Sequence, residues 1–357
     1  MAILGFWRCD QRDDRVATKS PSVWPEVVAV VPARDEADLI ARSLGSLVAQ
    51  DYPGPFRVVL VDDNSVDGTA KQVLAMGSSR IQIVSGAALA AGWTGKLWAV
   101  SQGIAAAGTP RFLWLTDADI EHSPDTLRNL VGIATGGEFT LVSLMAKLRC
   151  RSLPERALIP SFIYFFMMLY PFNWVNRRGP VAAAAGGCVL VSRDALEAAG
   201  GIAAIRGELI DDCALGRLLK RQGPIWLGLT ERSRSIRLYY SAGQIAAMIA
   251  RSAFAQLHYS LTLAILSIAG LVLIFLAPVV LAVSSHGIAA AASWATLFLI
   301  LGLYQPILYF YRRSPLWALG LPLVMLFYVG CIAQSVVQHF GGRGGTWKGR
   351  VQALSSP

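Results

Sequence analysis

Three short acidic clusters carry the residue types that could do metal or acid–base chemistry: Asp62-Asp63-Asn64-Ser65, Asp117-Ala118-Asp119 and Asp211-Asp212. The first two stand where runs of β-branched and aromatic residues stop, in VVLVDDNS and RFLWLTDAD. In an open α/β sheet, ligands bind beyond the carboxyl ends of the strands. Two acidic strand ends there can hold a nucleotide and a divalent cation, and a third acidic pair can supply a base. The combination is what a metal-dependent transferase with a nucleotide-activated donor needs.

The elements that must position these groups can be read from the pattern. Val27–Val31 (VVAVV) predicts a buried strand, followed by a Pro-bearing loop and a helix from about Glu36 to Ala49. FRVVLVD, IQIVS and FLWLTD predict three more strands, with helices over Gly68–Met76 and Lys96–Ala106 between them. Strands alternating with helices predict a mostly parallel sheet covered by helices, an α/β fold. Ser123-Pro124 reads as a helix cap with Pro in the first turn.

Of the 357 residues, 54% are hydrophobic and only 15% charged, too apolar for an ordinary soluble protein. The excess is concentrated. From about Leu261 three apolar stretches of spanning length follow, 261–283, 288–311 and 316–337. Ala157–Val175 is uncharged and nearly long enough, but holds Pro160 and Pro171 and interrupts the sheet-forming region, so a membrane-contacting helix is expected rather than a span. Ser241–Ser260 places Ile245, Met248, Ile249, Ala253 and Leu257 on one face, as an interfacial amphipathic helix would. The formal charge of +9 suits anionic lipid, each juxtamembrane cation adding roughly 1 kcal/mol. No nucleic-acid motif accompanies it. Arg312-Arg313 marks a cytoplasmic loop and places the catalytic domain inside, although three spans then leave Arg343, Lys348 and Arg350 outside. Met1–Trp7 is too short for a signal peptide or a span. The five cysteines are scattered without a CxxC pair, which predicts free thiols rather than disulfides or zinc.

Taken singly, each motif also has a structural reading. Asp62 to Ser65 are turn and N-cap residue types. Arg34 and Glu36 could form a solvated helix start, Lys96 could be a surface lysine, and Asp211-Asp212 could simply cap a helix. Asp117-Ala118-Asp119 could be acidic residues before a helix, although alternating carboxylates at a strand end can serve a ribose and a cation together. Gly186-Gly187 could be a tight turn.

Taken together, the chain resembles a membrane-bound glycosyltransferase of family 2, with the nucleotide-sugar-binding fold called GT-A. The similarity is greatest to the hopene-associated glycosyltransferases of hopanoid biosynthesis. It is carried by VVAVVPARDEAD, VVLVDDNSVDGTA, GWTGKLWAVSQG, LTDADIEHSPDTL, AAAAGGCVLVSRDALEAAGGI, GELIDDCALGRLLKRQG and GRGGTWKGR. The resemblance implies that Pro32, Arg34 and Glu36 line the nucleotide pocket and that Asp63 accepts a hydrogen bond from uracil. It further implies that Lys96 meets the base or diphosphate, that Asp117 meets the ribose, and that Asp119 ligates Mg²⁺ or Mn²⁺. Asp212 would be the catalytic base, with Asp211 beside it where the family usually has Glu. Gln256-Leu257-His258-Tyr259 does not match the Gln-x-x-Arg-Trp motif of processive members, so a polysaccharide synthase is disfavoured. The subgroup commonly begins with a membrane helix that this chain lacks: either the start codon is placed downstream, or the chain anchors only through its C-terminal half.

The expectation is therefore a GT-A sheet over residues 25–240 after an N-terminal segment (1–24). An interfacial helix (241–260), transmembrane helices (261–338) and a basic tail (339–357) follow. The activity implied is inverting transfer from a UDP-sugar to a lipid acceptor, a hopanoid or polyprenoid, at the cytoplasmic face of a bacterial inner membrane. A polyprenyl-phosphate glycosyltransferase and a catalytically silent membrane scaffold are the alternatives. A Rossmann dehydrogenase is not supported, because no G-x-G-x-x-G follows the first strand.

Overall fold

The computed structural model describes residues 5–342, 344–347 and 350–351. Of the basic tail, Arg343 and Lys348 lie outside the described residues. The chain divides into two compact units: Asp10–Arg149, Phe172–Arg237 and Trp347–Pro357 form one, and Met1–Cys9, Cys150–Pro171 and Leu238–Thr346 the other.

The first unit is built on an eight-stranded sheet. In chain order it runs β1 (Val27–Ala33), α1 (Ala37–Val48), β2 (Phe56–Asp62), α2 (Thr69–Ala75), β3 (Ile81–Ser85), α3 (Gly95–Ala106), β4 (Phe112–Thr116), β5 (Ile120–His122), α4 (Thr126–Gly136) and β6 (Leu141–Lys147). After α5 (Leu153–Leu169), which belongs to the other unit, come α6 (Phe172–Val175), β7 (Cys188–Ser192), α7 (Arg193–Ala198), α8 (Asp211–Lys220) and β8 (Ile225–Ser235).

The spatial order is β3-β2-β1-β4-β7-β6-β8-β5. The first four strands are parallel. β7 then runs antiparallel between β4 and β6, and β5 runs antiparallel to β8, so the sheet is mixed but mostly parallel, as expected. Every residue of β1 is buried, as expected for a strand covered on both faces. Ile40, Leu44 and Leu47 of α1 repeat at helical spacing and are buried together against the sheet. α3 lies so close to β1 and β2 that a Cβ on Gly103 would stand 2.4 Å from Val30 Cγ1 and 3.0 Å from Val61 Cγ2.

Ser123-Pro124 does not cap α4, which begins at Thr126 with Asp125 as its N-cap. Ser123 meets the helix through its carbonyl, which accepts the Thr126 N–H and hydroxyl. Ser123 donates its N–H to Arg232 O and its carbonyl accepts from Gln50 Nε2, while Pro124 O accepts the Asp51 N–H.

The second unit is helical: α5, α9 (Ala242–Gln256), α10 (Leu261–Leu271), α11 (Ala277–Ser284), α12 (Gly287–Phe310) and α13 (Leu321–Phe340). A π-helical turn, Val272–Leu276, joins α10 to α11. Pro278 sits in the first turn beyond it, and its missing N–H and bulky ring account for the widened turn. Among the described residues, four segments are long and apolar enough to cross a membrane: Leu153–Val175, Leu261–Ser284, Gly287–Phe310 and Pro315–Phe340. The face that α9 buries is Ile245, Ile249, Ala250 and Phe254, packed largely against α13; Met248, Ala253 and Leu257 are only partly covered. Polar groups inside this unit are paired, with Ser161 bonded to Tyr304 at 2.7 Å and Tyr328 donating to Leu158 O at 3.0 Å. α5 opens with a capping box, in which Ser152 accepts from the Glu155 N–H and the Glu155 carboxylate accepts from the Ser152 N–H.

Candidate active site

Four polypeptide turns at one end of the sheet present the acidic groups. β1 ends in Pro32-Ala33 and leads through Arg34 to Glu36 at the start of α1. β2 ends in Asp62 and is followed by Asp63. β4 ends at Thr116, so Asp117 and Asp119 occupy the short connection to β5. Asp211 and Asp212 open α8, and Lys96 is the second residue of α3. Runs of buried apolar residues end at these points because carboxylates cannot follow them into the core without partners.

Lys96 is the hub. Its Nζ lies 2.9 Å from Asp117 Oδ1 and 3.0 Å from Asp211 Oδ2, joining the end of β4 to the start of α8. Burial alone would lower the Lys96 pKa, but Asp117 and Asp211 outweigh it and hold it above its ordinary value. Asp117 is pushed up by burial, which exceeds the opposing pull of Lys96. Pro32, Lys96, Asp117, Gly186, Asp211 and Asp212 line one pocket.

Asp212 is held by main chain on both oxygens. Gly186 donates its N–H to Oδ2 at 3.0 Å, and Cys213 donates to Oδ1 at 2.7 Å. Burial, and then the charge of Asp211, push the Asp212 carboxyl up to about 6. A carboxylate raised in this way is a stronger base than a surface aspartate and is still ionised near neutrality.

Arg34 and Asp63 form a neighbouring pair. Arg34 Nη1 donates to Asp63 O at 2.6 Å and lies 3.7 Å from Asp63 Oδ2. The Asp63 N–H bonds Ala33 O at 2.8 Å, which stitches the ends of β1 and β2 together. Beside it, Asp62 Oδ1 is buried with no hydrogen-bond partner among the described residues.

Glu36 and Asp119 meet on a residue that the sequence reading did not single out. Arg237, two positions past the end of β8, donates from Nε to Asp119 Oδ2 at 2.7 Å and from Nη2 to Glu36 Oε1 at 2.5 Å. Burial opposes its charge, yet Asp119 and Glu36 hold its pKa above the ordinary value. In the sequence, Arg237 stands close after Arg232 and Arg234, and nothing local separates it from them. His122, by contrast, is a core residue. It bonds Thr116 and Ser233 at 2.9 Å each, and burial pushes its pKa down to about 3, so it stays neutral.

The donor set bears on whether a divalent cation fits here. No three His, Cys, Asp or Glu side chains form a protein cage among the described residues. Five carboxylates (Glu36, Asp117, Asp119, Asp211 and Asp212) nevertheless gather around Lys96 and Arg237. A further cation there would offset the negative charge that an anionic diphosphate adds. A single aspartate plus donor phosphates is the set that Mg²⁺ favours, so the residues fit.

Residues 28–200 match the model of the glycosyl transferase family 2. Among solved structures, the chain is similar to the mannosyltransferase PcManGT from Pyrobaculum calidifontis in complex with GDP-Man and Mn²⁺. The two share 19% identity over 94% of this chain and 93% of that one, with a TM-score of 0.54. Similarity also extends to glucosyl-3-phosphoglycerate synthase from Mycobacterium tuberculosis (20% identity, 66% of this chain and 79% of that one, TM-score 0.43). Mannosyl-3-phosphoglycerate synthase from Rubrobacter xylanophilus gives 18% identity, 63% and 72% coverage, and a TM-score of 0.40. No curated protein matches the sequence. The family match ends where α7 gives way to the loop before α8, and the strands within it are those that carry Asp63, Asp117 and Asp119. Residues 28–200 thus carry the match to glycosyl transferase family 2, and the chain has a GT-A-like fold.

Proposed function

We propose that the enzyme moves a sugar from a UDP-sugar to the hydroxyl of a membrane lipid, a hopanoid or polyprenoid, with inversion at the anomeric carbon. The observation that carries this reading is Asp212: a half-buried carboxylate, fixed by two main-chain donors and raised to about 6, in the same pocket as Asp117. In this reading Arg34 and Asp63 receive the uracil and Asp117 the ribose. Pro32 and Glu36 shape the nucleotide pocket, and Lys96 balances Asp117 and Asp211 beside the diphosphate. Asp119 would hold Mg²⁺ or Mn²⁺, which supplies compensation for charge developing on the departing diphosphate. Asp212 takes the proton from the acceptor hydroxyl as its oxygen bonds to the anomeric carbon. The bond from that carbon to the diphosphate breaks, and UDP leaves with the electron pair. A positioned base contributes typically ~10²–10⁴-fold.

Four apolar helical segments support a membrane setting. The sheet register bears on which of them could cross. Phe112 of β4 pairs with Ser192 of β7, so the strands before and after α5 belong to one sheet. A single crossing by Leu153–Val175 would put them on opposite sides of the bilayer. That supports α5 as a helix that enters without crossing, and leaves the three C-terminal segments as the candidate spans. Arg312-Arg313, between α12 and Leu321, supports a cytoplasmic catalytic unit.

The test is nucleoside diphosphate release by detergent-purified protein with Mn²⁺, a panel of UDP-sugars and GDP-mannose, and lipid extract from a hopanoid-producing membrane. Lipid-dependent release of UDP, lost in Asp212→Asn, is the expected outcome. Release that survives in Asp212→Asn would sink the hydroxyl-acceptor mechanism.

A further inference from the structure

Arg237 bridges the carboxylate assigned to the cation and a carboxylate of the nucleotide pocket. Its position is enforced by the backbone, because the Ile236 N–H bonds Asp119 O at 2.9 Å and β5 pairs with β8 through Ile120 and Ser235. Glu36 and Asp119 are the more enclosed partners, with side chains 8% and 14% exposed, while the Arg237 side chain is 32% exposed. The guanidinium is therefore the member of the trio with room to move.

A metal ion sits about 2.1 Å from its carboxylate oxygen. Asp119 Oδ2 already accepts a charge-assisted bond at 2.7 Å, so a dication there would face a guanidinium at close range. The two cations exclude each other on that oxygen. A diphosphate offers Arg237 an alternative, since the planar fork of arginine matches phosphate oxygens bidentately.

We propose that Arg237 is an internal cation that occupies Asp119 and Glu36 in the donor-free enzyme and passes to the donor's diphosphate when metal and donor bind. Metal alone then binds weakly, and nucleotide strengthens it by releasing Arg237. By linkage, metal strengthens nucleotide binding by the same factor. The inference rests on the assignment of Asp119 as the metal ligand made under the proposed function.

The experiment is titration of full-length, detergent-solubilised protein with Mn²⁺, followed by electron paramagnetic resonance, without nucleotide and with UDP or GDP. In the wild type, nucleotide should tighten Mn²⁺ binding about tenfold or more. R237Q should bind Mn²⁺ without nucleotide about tenfold more tightly than wild type, and the gain on adding nucleotide should shrink. E36Q removes one anchor and leaves Asp119 intact, so it should move donor-free affinity the same way by a few-fold; it serves if R237Q does not fold. Unchanged donor-free affinity in R237Q or E36Q, with binding lost in D119N, would overturn the exchange and leave the metal site standing. Binding that persists in D119N would overturn the metal assignment and the exchange with it.

Discussion

Gly186 donates its backbone N–H to Asp212 Oδ2 at 3.0 Å, a bond that ties the loop before β7 to the first turn of α8. The loop approaches closely because residue 186 has no side chain. A Cβ there would stand 3.3 Å from Lys96 Nζ, tight enough to shift it by a few tenths of an ångström, and in contact with Asp212 Cβ at 3.5 Å. Gly186→Ala should therefore leave the unfolding temperature nearly unchanged while lowering kcat about tenfold, since small misplacements of a reacting group are costly. Nucleotide affinity, measured by calorimetry, should fall less than kcat, because Asp63 and Arg34 are untouched and only Lys96 shifts. Loss of nucleotide binding in step with kcat would mean that Gly186 serves the donor instead.

The acidic cluster sets the pH dependence. Burial and Asp211 raise Asp212 to about 6, and only the ionised form can accept a proton. The rate should rise with pH through about 6 and level off above it. Asp211→Asn removes a neighbouring negative charge, so the rising limb should move to lower pH. Lys96→Met removes a charge that lowers Asp212, so the limb should move to higher pH. The sign for stability follows from the same shift. A carboxyl raised in the fold contributes most below its unfolded pKa and loses that contribution as pH rises through about 6. Rate–pH profiles of the two variants that move in the same direction would remove Asp212 from the base position.

The parallel half of this site was legible because chemistry and pattern coincide there. β-branched runs stop abruptly at Asp62 and before Asp117, and a run that ends in carboxylates at a strand's carboxyl end locates a ligand edge. The antiparallel half was not. CVLVS reads as a buried strand in either direction, and its insertion between β4 and β6 depends on the long excursion through α5. Lys96 bridging Asp117 and Asp211 is likewise a product of the fold, since the two carboxylates come from elements that nothing local connects. Arg237 was hidden among similar arginines. Arg232 is taken by Asp13 and Asp125 and Arg234 by Glu231, and only tertiary pairing distinguishes the one that reaches Asp119.

The pairing of Arg34 with Asp63 predicts a defect of a different kind. Arg34 Nη1 bonds the main chain of Asp63 at 2.6 Å and stands beside its carboxylate, so it fixes the loop that would receive the base. Arg34→Ala should raise the Kd for UDP about tenfold, the scale of one charge-assisted bond. At saturating donor kcat should remain close to wild type, because the cluster around Asp212 does not involve Arg34. A fall in kcat with unchanged Kd would place Arg34 on the reacting side of the site.

Glu155 supports the helical unit rather than the chemistry. It is fully buried, and its Oε2 accepts the N–H groups of Arg151 and Ser152 at 2.8 Å each while Oε1 accepts that of Tyr239 at 3.2 Å. One carboxylate thus closes the start of α5 and fastens the segment leading to α9. Glu155→Ala strands three main-chain donors at the cost of about 1–3 kcal/mol for each one that water cannot reach. Glu155→Gln keeps one acceptor oxygen and sets an amide N–H against the remaining donors, so it should fall between alanine and wild type. Thermal unfolding in detergent checks the order, with UDP binding measured well below the transition. Both variants should bind UDP as the wild type does, because every residue proposed for the nucleotide pocket lies in the other unit. Equal destabilisation by Gln and Ala would show that the negative charge, rather than the acceptor geometry, holds the start of α5.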